Sequence, residues 1–165
     1  MKSVIIIRHA KSSWDVHTLS DFDRPLNEKG TKEAVTMAQK LIDKKIVVDA
    51  FISSPAKRAI TTAKYFANAY NIAEENIIQI KELYNASVET LYNVIANTSN
   101  KYNNIALFSH NPGITYFVNE LTETQIDEMP TCGVFAIKAT CKNWEDFSSA
   151  KKTFWFFHSP KKAIL

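Results

Sequence analysis

The sequence predicts an α/β fold: a three-layer sandwich with a mainly parallel central sheet flanked by helices. Three observations carry that expectation. Short apolar, β-branched runs alternate with segments whose apolar residues recur at helical spacing. The runs are continuously apolar rather than alternating, as strands buried on both faces are in parallel sheets. Polar clusters follow three of the runs, at Arg8-His9, Ser53 to Arg58 and Ser109-His110. Open α/β sheets place their sites beyond the carboxyl ends of strands.

The elements follow in order. Val4 to Ile7 reads as the first strand, and a polar loop runs from Arg8 to Asn27. Asn27 is a good cap for a helix over residues 28–44, with Ala34, Met37, Ala38, Leu41 and Ile42 on one face. Residues 47–53 form the next strand. Ser54-Pro55 reads as a helix start, with Ser as the cap and Pro in the first turn. That helix presents Ala59, Ala63, Phe66, Ala67 and Tyr70. A short strand is expected over 77–80. Val88, Leu91, Tyr92 and Ile95 mark a third helix, 105–108 a strand, and 112–121 a fourth helix. Residues 133–139 and 153–157 look like two closing strands joined by a turn near Asn143-Trp144. The aromatic run Phe154-Trp155-Phe156-Phe157 belongs in the core.

With 165 residues, 45% hydrophobic and 22% charged, the chain fits a single domain spanning residues 1–165, with a core that needs no disulfide or metal. The net charge of +3 is too small to argue for nucleic acid or a membrane surface, though it suits an anionic substrate. No apolar stretch approaches a membrane span or a signal peptide. Cys132 and Cys141 read as free thiols of a reducing cytoplasm, and they lack metal-ligand spacing. A monomer is favoured. His17 and His158 stand outside any motif and read as surface or packing residues. Lys11, Ser12 and Ser13 fit contacts to phosphate or a protein partner and loop polarity equally well, while Asn111 reads as a helix cap and Lys151, Lys152, Lys161 and Lys162 as solvated charge.

The three polar clusters supply a coherent chemistry. Arg8 and Arg58 are permanent cations whose planar forks match phosphate oxygens. A helix start at Ser54-Pro55 would add free N–H groups. A neutral imidazole can attack phosphorus, giving a phosphohistidine that water then hydrolyses. Positioning and positive charge carry most of the catalysis of such a transfer, so no metal and no cofactor is expected.

The strings that hold these residues resemble a known family. I-I-R-H-A-K, S-S-P-A-K-R-A-I-T-T-A and F-S-H-N-P-G are similar, in order and spacing, to the motifs of the histidine phosphatase superfamily, with Ala10 where most members have Gly. The resemblance implies a phosphoglycerate mutase-like fold. It implies His9 as nucleophile, with Arg8, Arg58 and His110 binding the phosphoryl oxygens. R-H-A-K-S-S-W and D-F-D-R-P-L-N-E-K-G are similar to the small SixA-type branch of phosphohistidine phosphatases. That branch implies a phosphorylated protein, such as a phosphotransfer domain, as substrate; a small phosphomonoester is the alternative. A non-catalytic phospho-ligand binder and a phosphotransferase or mutase are further alternatives. Relatives often place an acid after the second motif. This makes Glu82 the expected proton donor, with Asp21 and Asp23 as alternatives, or none at all, since a protonated imidazole leaves readily. Asn27 is a further expected substrate contact.

Overall fold

A computed structural model describes residues 1–15 and 19–161. Six strands form one sheet: β1 (Lys2–Arg8), β2 (Ala50–Ser53), β3 (Ile78–Gln79), β4 (Asn104–Ser109), β5 (Val134–Ala139) and β6 (Lys152–His158), in the spatial order β3-β2-β4-β1-β5-β6. The first four in chain order run parallel; β5 and β6 close the sheet antiparallel. The helices are α1 (Glu28–Asp43), α2 (Lys57–Ala69), α3 (Val88–Ala96) and α4 (Gly113–Leu121).

Strand side chains alternate across the sheet and so build two cores. Ile5, Ile7, Phe51, Ala106 and Phe108 face one way, and onto them pack Ala34, Met37 and Leu41 of α1 and Ala63, Phe66 and Ala67 of α2. Val4, Ile6, Ile52, Ile105 and Leu107 face the other way, against Leu91 and Ile95 of α3 and Ile114, Phe117 and Val118 of α4. The three-layer sandwich follows from this division. Phe66 is fully buried, so truncating it to Ala removes roughly 3–5 kcal/mol.

Local chemistry sets the starts of α1 and α3: the Asn27 and Ser87 side chains each cap the helix that follows. Asn27 accepts from the Gly30 N–H at 2.7 Å, capping α1 as its composition suggests. The same turn grips the preceding loop. The Asn27 N–H donates to the Lys11 carbonyl at 3.0 Å, and a Cβ at Gly30 would collide with that carbonyl.

Three expectations are corrected. The second strand begins at Ala50 rather than 47: just ahead of it, Asp49 is clamped to the start of β4, its N–H donating to Asn104 O and its carboxylate accepting from the Asn103 and Asn104 N–H groups. Ser54 is not a helix cap: α2 begins at Lys57, and the Ser54 hydroxyl accepts from Ala56 N at 3.2 Å. The link between β5 and β6 is more than a turn. It holds a 3-10 segment (Trp144–Ser149) whose Trp144 and Phe147 enter the core.

His158 is buried at the end of β6, its ring 4.9 Å from that of Phe156, in a packing position. Cys132 and Cys141 are free thiols. Among the described residues, no helix is long and apolar enough to cross a membrane. His17 and Lys162 lie outside the described residues.

Candidate active site

Sheet register brings the site together. Arg8 at the end of β1 pairs with Ser109 at the end of β4, and Ser53 at the end of β2 pairs with Phe108. The next residues, His9, His110 and Ser54, therefore emerge side by side. Backbone bonds fix His9 in place. Its N–H donates to Ser109 O at 3.2 Å, and its carbonyl accepts from Cys132 N at 3.0 Å. Cys132 makes that contact from a left-handed backbone, φ 56°, a conformation that costs a non-glycine residue about 1 kcal/mol or more. The Ala10 N–H donates to Thr62 Oγ1 at 2.9 Å, tying the start of the loop to α2.

The hydrogen bonds of His9 assign its tautomer. Nδ1 lies 2.7 Å from the Ala10 carbonyl, which can only accept, so Nδ1 carries the proton and Nε2 the lone pair. Arg58 Nε–H donates to Nε2 at 3.3 Å. The His110 ring stands 5.1 Å away, with its Nε2 2.8 Å from Ser54 Oγ. Burial, chiefly, drives the pKa of each histidine down to about 3. For His9 the charges of Arg58 and Arg8 add to the effect; for His110, repulsion from His9 once that ring is protonated and the charge of Arg58 do so. Both imidazoles are neutral at physiological pH. A neutral ring is the form that can attack phosphorus.

A second layer of contacts comes from the loop after β1. Its ends are zipped by a bridge between Ser12 and Leu26 and by Ser13 N–H donating to Pro25 O at 2.8 Å. Between them Asp21 meets three partners. Arg58 donates to its carbonyl at 2.6 Å and its Oδ2 at 3.0 Å. Tyr84 O–H donates to the same Oδ2 at 2.6 Å, and Arg24 Nε–H to Oδ1 at 3.3 Å. The Tyr84 hydrogen bond, helped by Arg58, holds the Asp21 carboxyl down to about 2. Arg24 is buried and its guanidinium lies 3.5 Å over the Trp14 ring. On the opposite side Arg8 Nη1 donates to Met129 O at 2.8 Å, with Glu128 at 4.0 Å.

Arg8, His9, Arg24, Arg58 and His110 thus line one open cleft of about 330 Å³, bordered by the exposed Lys11 and Trp14. No carboxylate lines it among the described residues. Nor do any three His, Cys, Asp or Glu side chains converge among them as metal ligands.

The structure gathers four of the expected residues, Arg8, His9, Arg58 and His110, and separates two. Glu82 sits on the 3-10 turn Lys81–Leu83 and opens onto a different cavity, with Ile52, Ile78, Ile80 and Val94. The turn buries Leu83 and leaves Glu82 outside, so it is in no position to protonate a leaving group in the cleft. Asn27 spends its side chain on the α1 cap and does not line the cleft. Of the alternatives, Asp23 accepts from Ser20 Oγ at 2.9 Å and does not line the cleft, and Asp21 is too strongly held as an anion to donate a proton near neutrality. Asn111 is not a backbone cap. It accepts from Thr115 Oγ1 at 2.8 Å and donates to Met129 O at 2.9 Å. Sequence reasoning misses Arg24, Ser54 as the partner of His110, and Tyr84. Arg24 sits inside a loop of mixed charge, where nothing local marks one cation as buried.

The match to the histidine phosphatase superfamily (branch 1) family model covers residues 4–95, more than half of the chain. The chain belongs to the histidine phosphatase superfamily. An uncharacterized chloroplastic protein of Arabidopsis thaliana is 30% identical over 153 residues, 88% of this chain and 70% of that one. Among solved structures, a protein from Agrobacterium tumefaciens assigned as a phosphohistidine phosphatase SixA superposes with a TM-score of 0.80 at 28% identity, covering 96% of this chain and 99% of that one. The protein histidine phosphatase SixA complexed with tungstate gives a TM-score of 0.81 at 24% identity, covering 96% and 97%. The histidine phosphatase membership and the shared fold together support a phosphatase with phosphohistidine-type chemistry.

Proposed function

We propose that the protein removes the phosphoryl group from phosphohistidine on a protein partner, by way of a phosphoryl group held on His9 and without a metal. The observation that carries this reading is a neutral His9, its lone pair on Nε2, set among Arg8, Arg24, Arg58 and His110 in a cleft that no carboxylate lines among the described residues.

In the resting site, Arg58 Nε–H occupies the lone pair of His9. An incoming phosphoryl oxygen takes that N–H over and frees Nε2 to attack. The Nε2–P bond forms as the P–N bond to the substrate imidazole breaks, and the leaving imidazole departs with its own proton. This is why no side-chain acid is needed. Phosphorylated His9 keeps its Nδ1 proton on the Ala10 carbonyl. Water then attacks phosphorus and releases inorganic phosphate. Arg8, Arg24, Arg58 and His110 hold the equatorial oxygens, where charge spreads in the transition state. Asp21 acts behind them as a positioning residue, aligning Arg58 and Arg24 and offsetting part of their mutual repulsion.

The test is a panel of a phosphohistidine protein, an aryl phosphate and common metabolite phosphates, each with and without chelator. Preference for the first, unaffected by chelator, is expected. Preference for a metabolite phosphate would overturn the substrate. Tight binding without turnover would point to a receptor. Transfer to an acceptor other than water would point to a mutase.

A further inference from the structure

The surface around the cleft is lopsided in charge. Past Arg8, Lys11 and Thr131 the cleft continues into a second groove of about 330 Å³, lined also by Lys29, Glu33 and Lys161. Across cleft and groove, the charged lining residues among those described are Arg8, Lys11, Arg24, Lys29, Arg58 and Lys161 against the acid Glu33. The whole chain is near parity, with 20 basic and 17 acidic residues. On the far side of the mouth, toward α4, the sign reverses: Asp127 and Glu128 line the neighbouring pocket. Lys11 and Lys29 make no ion pair among the described residues, so the field of the groove is left for a ligand.

The arginines and the histidines of the cleft suffice for one phosphoryl dianion. The groove adds lysines, compact hydrated charges on flexible stems, which suit loosely placed carboxylates better than a fixed bidentate phosphate. We infer that this groove docks an acidic segment flanking the phosphorylated residue, running toward α1 and away from Asp127 and Glu128. The inference rests on the reading above that the substrate is a phosphoprotein.

The test compares pairs of phosphopeptides with either Asp/Glu or Asn/Gln on one flank, each made with phosphohistidine and with phosphotyrosine. The acidic member is expected to have about 10-fold higher kcat/KM in low salt, from one flank only. The ratio should fall to about 2-fold at 0.5 M salt, where screening shortens the reach of exposed charge. The double variant Lys29→Glu, Lys161→Glu should abolish the preference and keep aryl phosphate turnover. Both residues lie outside the cleft, and an acid in the first turn of α1 favours the helix. Equal rates for both flanks in whichever series is turned over would overturn the groove, as would a preference that survives the double variant. An acidic preference confined to the phosphotyrosine series would sink the phosphohistidine reading and leave the groove standing.

Discussion

Two cavities invite comparison. The larger, about 540 Å³, lies beside α3 and β3 and is lined by Ile52, Ile78, Ile80 and Val94, with Glu82 at its edge. The smaller, about 330 Å³, lies beyond β1, β2 and β4 and is lined by arginines and histidines. Size favours the first and chemistry the second. The larger cavity lies between the two-residue edge strand β3 and α3, with the residues after α3 closing it. The smaller one exists because three parallel strands end at one level and each hands its next residue to the same space. Volume alone is therefore a poor guide to a phosphoryl site; converging cations and a neutral imidazole are a better one.

Substitutions can break that contrast, and the largest effect is expected at the nucleophile. His9→Ala should lower aryl phosphate turnover by at least about 10³-fold, and acid quench of the wild type during turnover should leave phosphate on His9. Full turnover in the variant would refute the mechanism. The acid stability of the fold is the next effect. His9 and His110 stay neutral in the native state down to about pH 3, while their unfolded pKa is about 6.5. Between those values the unfolded chain binds more protons, so native stability falls as pH drops from about 6.5 toward 3. The Tm difference between pH 7 and pH 4 should shrink in a His9→Ala, His110→Ala double variant relative to wild type.

Asp21→Asn probes positioning. It should lower kcat about 10-fold while inorganic phosphate inhibits as well as before or better, because the variant loosens Arg58 yet removes a negative charge behind it. Weaker phosphate inhibition with unchanged kcat would argue against that role. Glu82→Gln tests the larger cavity. It alters the larger cavity only, and kcat/KM should stay within about 2-fold with its pH profile unmoved.

Much of this could be read directly. Val4 to Ile7 and Ile105 to Phe108 are short apolar runs that fit a doubly covered strand, and Arg8-His9 and Ser109-His110 follow them at once. The elements and the four central residues were therefore legible, as was the Asn27 cap. Glu82 misled because proximity in sequence to a motif says nothing about which side of a 3-10 turn faces the cleft. Ser54 misled because Ser-Pro is a good helix start in isolation, whereas here the hydroxyl is drawn to His110.

The sheet and the strand ends are written locally in the chain, since hydrophobic period and abrupt polar stops are local signals. The shell around those ends is set by folding alone. Asp21 reaches Arg58 and Tyr84 across 37 and 63 positions, and Arg24 lies buried beneath Trp14. Such a loop has no period to read. Its conformation is chosen by the partners that the finished sheet presents to it, and those partners meet only once the chain has folded.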